Sequence, residues 1–143
     1  MGLKHVNKVK IYHVDTDSYG IVWHGAYLRW FEVGRVEMAN LAGVSLKELE
    51  EADIQLPVVE LNCRYKSPSR VLDKIVIETE ISVLTKTSIT FKHTVTNNTT
   101  GSLVLNATTI CVTTDKNGKL FRKIPDEIYK NFETALTPHL FSK

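Results

Sequence analysis

The stretch Gly25–Leu41, GAYLRWFEVGRVEMANL, decides the fold. Tyr27, Leu28, Trp30, Phe31, Val33, Val36, Met38 and Leu41 spread apolar groups over most of a helical circumference, while Arg29, Glu32 and Arg35 are spaced to pair along one narrow polar stripe. The spacing predicts a long helix buried on most sides. Such a helix has to be wrapped, so the flanking sequence must supply the wrapper.

Downstream, Gly43 is placed to end this helix, and SLKE at Ser45–Glu48 is a capping box that opens a short second helix stopping near Asp53. The period then switches to two. LPVVELNCRYKS, DKIVIETEISVL, SITFKHTVTNN and SLVLNATTICVTT read as four strands, separated by the turn segments PSRV, TKT and NTTG. DKNG at Asp115–Gly118 predicts a hairpin turn leading into KLFRKIP, and a last helix, DEIYKNFETAL, starts after Pro125 with a frayed end beyond it. Upstream, KVKIYHV at residues 8–14 alternates like a half-buried strand. One strand, one long helix and a run of strands joined by short connections make an α+β fold with an antiparallel sheet curved around the helix. The sheet's leftover apolar edge or face is left for a second copy.

The chain has 143 residues, 43% of them hydrophobic, which suits one domain over 1–143 with a core of its own. A net charge of +2, with basic and acidic residues interspersed, speaks against a nucleic-acid partner. No segment approaches the ~20 apolar residues that span a bilayer, and MGLKHVNKVKIYHV lacks a signal peptide's apolar core, so no membrane insertion and a cytoplasmic location are expected. Met-Gly at the start lacks the Ser or Thr of a myristoylation site. Cys63 and Cys111 stand in apolar alternating segments without a CxxC pattern and read as buried free thiols.

Between the first strand and the helix lies HVDTDSYGIVWHGAY, residues 13–27. Asp15, Asp17 and Gly20 match the first, third and sixth positions of an EF-hand loop, but the twelfth, which must bring a bidentate carboxylate, is Ala26. A D-x-D phosphatase pair would need alternating βα units that the chain does not have. His13, Asp15, Asp17 and His24 have the right atom types for a divalent metal but no ligand motif behind them, and a metal centre stays the weaker alternative. The other reading uses position. A carboxylate on a loop entering a helix N-terminus sits beside unpartnered N–H groups that suit a developing oxyanion, so Asp17 could act on an acyl carbonyl as base or nucleophile. Gly25 and Ala26 have almost no side chain and allow close approach.

DTDSYGIVWHGAYLRWFEVGRVE resembles the signature of the hotdog-fold acyl-CoA thioesterases of the 4-hydroxybenzoyl-CoA thioesterase family, including its Tol-Pal-associated branch. The match falls on Asp17, Gly20, Ile21, Val22, His24, Tyr27, Glu32 and Arg35. LPVVELNCRYKSPSRVLDKIVIETEI and CVTTDKNGKLFRKIPDEI continue it over nearly the whole chain. The resemblance implies a hotdog fold, with a long helix wrapped by an antiparallel sheet, and a homodimer or homotetramer acting on an acyl-CoA without metal or cofactor. It puts the catalytic aspartate at Asp17 and the N–H that polarises the thioester carbonyl at His24, while His13 stands where the Tol-Pal branch often has tyrosine. Asp15 is expected to serve the turn, Glu32 and Arg35 to pair on the helix, with Glu32 a secondary acid-base candidate. Gly25 and Tyr27 would touch the acyl group, and Arg64, Lys66, Arg70, Lys86 and Ser88 are the candidates along the coenzyme A route. Trp23, Tyr27, Trp30 and Phe31 are expected mainly in the core, the first two also reaching the acyl group. An acyl-CoA or acyl-carrier binding module without turnover, and an enoyl-CoA hydratase, are the two alternatives on this fold.

Overall fold

The computed structural model describes residues 3–141. Strand β1 (His5–Lys10) leads through a short 3-10 turn (His13–Asp15) and a loop into helix α1 (Ala26–Leu41), followed by the short helix α2 (Leu46–Glu51). Strands β2 (Val58–Tyr65), β3 (Lys74–Leu84), β4 (Ile89–Asn97) and β5 (Ser102–Cys111) come next, and helix α3 (Asp126–Phe141) closes the chain. The strands form one sheet in the order β1-β3-β4-β5-β2, antiparallel at every pairing.

Helix α1 lies on this sheet through Tyr27, Trp30, Phe31, Gly34 and Met38, a spacing of three and four that keeps one face toward the core. The expectation that it is buried on most sides needs correcting. Leu28, Val33 and Leu41 are exposed, because one sheet can cover only one side of a cylinder. Nor does the polar stripe pair along the helix. Arg29 reaches back to Asp15, and no ion pair joins Glu32 to Arg35 among the described residues.

The core falls into two clusters along α1. The first packs Tyr27, Trp30 and Phe31 on Ile75, Ile77 and Leu105, and the second packs Met38 and Ala39 on Phe91, Ile124 and Phe132. Between them runs a buried polar seam. His93 on β4 bonds Thr79 on β3 through Nδ1 at 2.9 Å and Thr109 on β5 through Nε2 at 3.1 Å, and its ring stacks on Phe31 at 4.4 Å. Gly34 sits directly over this seam, where a Cβ would lie 2.1 Å from Thr79 Oγ1.

Helix boundaries follow their caps. The Glu48 N–H donates to Ser45 Oγ at 3.1 Å at the start of α2, and Gly43, at φ 88, turns the chain out of α1. The upstream strand differs from expectation: it runs His5–Lys10, and His13 and Val14 belong to the 3-10 turn, because the Asp15 carboxylate captures the Tyr12 N–H and curls the chain. KLFRKIP is not a strand; after the turn at Gly118 it pairs through an isolated bridge, Thr114 to Leu120. The last helix continues past Leu136 to Phe141, where an end was expected to fray. The readings of Met1-Gly2 and of residues 142–143 lie outside the described residues. Both cysteines are free, Cys111 buried and Cys63 only half-buried on the edge strand β2.

Candidate active site

The loop Thr16–Val22 is a tight reversal closed by its own backbone. The Asp17 N–H donates to the Ile21 carbonyl at 2.8 Å, the Gly20 N–H returns to the Asp17 carbonyl at 3.0 Å, and Gly20 takes φ 78. Asp17 Oδ1 accepts from the Tyr19 N–H at 2.8 Å, which fixes the carboxylate while Oδ2 keeps no protein partner among the described residues. Asp15 has the opposite fate. It is buried, with Oδ2 on the Tyr12 N–H at 3.0 Å and Oδ1 on Arg29 at 3.3 Å, so both oxygens hold structure together.

The far arm of the loop is pinned as firmly. The Val22 N–H donates to the Ser69 carbonyl at 2.8 Å, and Ile21 bridges Arg70, so the loop is tied to the segment entering β3. The Trp23 N–H returns to the Asp15 carbonyl at 3.2 Å. From there the chain enters α1, whose N-cap Gly25 offers no side-chain cap and whose first turn has no acidic residue. The N–H groups of His24 and Gly25 have no backbone acceptor among the described residues, while that of Ala26 is used by the Trp23 carbonyl at 3.0 Å. The loop that carries Asp17 therefore runs directly into an uncapped, positively polarised helix end.

The other predicted residues divide. The His24 side chain is exposed and packs edge-on to Trp23 at 5.5 Å, and Trp23, expected mainly in the core, is itself exposed. Tyr27 is buried beneath the loop, and burial raises its phenol above the ordinary range. The space over Gly25 is occupied by the Trp23 ring, which would lie 2.2 Å from a Cβ, so the close approach expected there is made by an indole. Arg64 and Lys66 flank Tyr65 near the start of α1, and Arg70 touches the loop through Ile21. Lys86 and Ser88 are elsewhere. They sit on the β3–β4 turn, an 11-residue strand and so roughly 30 Å of extended chain from Arg70. There Lys86 Nζ lies 4.1 Å from the Tyr129 ring centre and Ser88 bonds Thr85.

A cavity of about 280 Å³ opens further along α1, between Glu32, Arg35, Leu49, Leu56, Phe91 and Cys111. Neither Asp17 nor His24 lines it, and burial lowers the Arg35 guanidinium pKa. No group of three metal-ligating side chains converges among the described residues, and no helix among them is long and apolar enough to cross a membrane.

One residue of the site carries no signal in the sequence. Tyr65, on β2, donates its O–H to the His24 carbonyl at 2.6 Å across a separation of 41 residues. It was legible as a strand residue, but only the fold brings β2 beside the helix start.

Residues 12–132 match the thioesterase-like superfamily. The acyl-CoA thioester hydrolase YbgC of Escherichia coli is 29% identical over 125 residues, 87% of this chain and 92% of that protein. The acyl-CoA thioesterase YbgC of Haemophilus influenzae is 31% identical over 113 residues, covering 78% and 81%. Among solved structures, the 4-hydroxybenzoyl CoA thioesterase from Pseudomonas sp. strain CBS-3 superposes with a TM-score of 0.80 at 25% identity, over 90% of this chain and 98% of that one.

Proposed function

The chain belongs to the thioesterase-like superfamily, and from that premise we propose that it hydrolyses an acyl- or aroyl-CoA to free acid and CoA, with Asp17 starting the reaction and the His24 N–H holding the thioester oxygen. The substrate class is supported by the acyl-CoA hydrolases among its relatives. The observation that carries the site is the pairing of a fixed carboxylate, bonded through Oδ1 and open at Oδ2, with an uncapped helix N-terminus entered by the same loop.

With the thioester carbonyl against the His24 N–H, charge developing on its oxygen meets the positive end of α1. A preorganised donor of this kind contributes roughly 3 kcal/mol in the transition state. Asp17 takes a proton from water as the water oxygen bonds to the carbonyl carbon. The C–S bond then breaks, its electron pair leaves on sulfur, and the proton returns to give the CoA thiol. Direct attack by Asp17 is the second route; it passes through a mixed anhydride that water opens. Label from ¹⁸O-water found in the Asp17 carboxylate after a single turnover identifies the attack route, with water opening the anhydride at the Asp17 carbonyl.

Asp17→Asn keeps an Oδ1 acceptor for the Tyr19 N–H, so the loop should hold its shape. We expect CoA release to fall by about a hundredfold or more with an unchanged Tm. Full hydrolysis by this variant would remove Asp17 from the mechanism. Assaying released thiol against bound and hydrated acyl-CoA also separates a hydrolase from a silent binding module and from a hydratase.

The site is open in a single chain, and a homodimer is the natural complement. Strand β2 is an edge strand, exposed along almost its whole length, with Val58, Val59, Leu61 and Tyr65 uncovered, whereas the other edge, β1, exposes one apolar residue, Val6, beside Lys8 and Lys10. Lysines protect an edge and bare apolar residues do not, so β2 is the pairing edge. In such an assembly Arg64, Lys66 and Arg70 serve the coenzyme A phosphates from one protomer, while Lys86 and Ser88 serve them from another. Residues 1–143 act as one hotdog domain, and the free thiols suit the reducing cytoplasm.

A further inference from the structure

A carbonyl at the head of a helix ordinarily accepts from an N–H three or four residues on. The Leu28 N–H goes instead to the Gly25 carbonyl at 3.2 Å, and the His24 carbonyl is taken by the Tyr65 O–H at 2.6 Å. A trans peptide is planar, so the His24 C=O and the Gly25 N–H point in opposite directions, and holding one aims the other. The peptide before it is fixed as well. The Trp23 carbonyl accepts from the Ala26 N–H at 3.0 Å, which turns the His24 N–H outward from the helix end. Both peptide planes at the mouth of α1 are thus pinned on their carbonyl side, and both N–H groups lack a backbone acceptor among the described residues.

We propose that the oxyanion site has two donors, the N–H groups of His24 and Gly25, and that Tyr65 is the positioning residue that sets the second. This rests on the thioesterase reading of the same loop. The Tyr27 ring, 6.0 Å away and tilted at 56°, props the phenol of Tyr65 in place. Burial, and then neighbouring Cys63, push that phenol up to about 12, so it remains a donor throughout the working pH range. Gly25 is a residue that keeps its N–H, and its φ of −80 would also admit proline, which has none.

The test takes Tyr65→Phe, which removes only the hydroxyl, and compares two inhibitors. One is a trifluoromethyl ketone analogue of acyl-CoA, which presents an oxyanion; the other is a thioether analogue without the carbonyl. The expected result is an unchanged Tm and KM, a kcat lower by roughly tenfold, and the same loss of affinity for the ketone but none for the thioether. Gly25→Pro is run beside Gly25→Ala, since both press a new carbon on the Trp23 ring and only proline deletes the N–H. The proline variant should be slower than the alanine one by roughly a hundredfold. Equal kcat for Tyr65→Phe and wild type, or equal losses on both inhibitors, would overturn the positioning role. Equal rates for Gly25→Pro and Gly25→Ala would overturn the second donor. If the wild type releases no CoA from any thioester, the hydrolase reading falls and this inference with it. If it does and Asp17→Asn does not, the two variant comparisons judge this inference alone.

Discussion

Asp15 and Asp17 are the same residue type one position apart, and their surroundings give them different chemistry. Asp15 is buried with both oxygens bonded, while Asp17 ties down one oxygen and leaves the other open. Spacing alone treats the two alike; the family resemblance picked out Asp17, and the hydrogen bonds leave one of its oxygens without a partner among the described residues. His93 shows the cost of a buried titratable residue. It is fully buried, and desolvation, then the nearby Arg35 charge, lower its pKa to about 3. The unfolded chain binds this proton near the ordinary value of about 6.5, so below that pH the unfolded state takes up more protons and stability falls until the folded value is reached. We expect His93 to remove about 2–3 kcal/mol between pH 7 and pH 4.5. Urea unfolding at several pH values checks this. His93→Gln, which can still bond the two threonines, should flatten the slope in that window, and an undiminished slope would assign it to other groups.

At the scale of the element, α1 was legible to within a residue, because Gly25 and Gly43 bracket a strongly patterned run. The four strands after it were equally plain from their alternation. Where the reading departed from the structure, two cases show what periodicity leaves out. The strand read at residues 8–14 gives way to a 3-10 turn once Asp15 holds Tyr12, and the exposed side of α1 looked like core because periodicity reports apolar faces without saying what covers them. Tyr65 escaped notice because its partner, the His24 carbonyl, lies 41 residues away in sequence. What sequence did not reveal is why α1 carries Gly34 in its middle, where glycine costs about 1 kcal/mol relative to alanine. A Cβ there would meet Thr79 Oγ1, which is locked by its bond to His93, so the helix can sit this close to the sheet only without a side chain. Gly34→Ala should therefore destabilise by about 1–2 kcal/mol despite its better helix propensity, overpacking outweighing the backbone gain. Paired with Thr79→Ser, which leaves the hydroxyl, the cost should persist; paired with Thr79→Ala, it should shrink. Thermal melts of the single and double variants read this directly, and a stabilised Gly34→Ala would show that the seam yields.

At the scale of the molecule, one chain covers the inner side of its sheet with α1 and leaves apolar side chains uncovered, among them Leu28 and Val33 on the helix and Val59 and Leu61 on the edge strand. A second copy paired along β2 would continue the antiparallel sheet across the edge and bring another protomer beside the open end of α1, which ties assembly to activity. Leu61 is the place to cut. It is 43% exposed on β2, so a charge there should cost the single chain no more than about 0.5 kcal/mol while placing a lysine where two edges must meet. The wild type should sediment at twice or four times the mass of the 16.2 kDa chain, and Leu61→Lys as the single chain with an unchanged circular dichroism spectrum. CoA release should fall with the dimer and return when protein concentration is raised enough to restore it. A wild type that sediments as one chain and still hydrolyses at full rate would place the whole site within a single copy, and the exposed β2 face would then need another occupant.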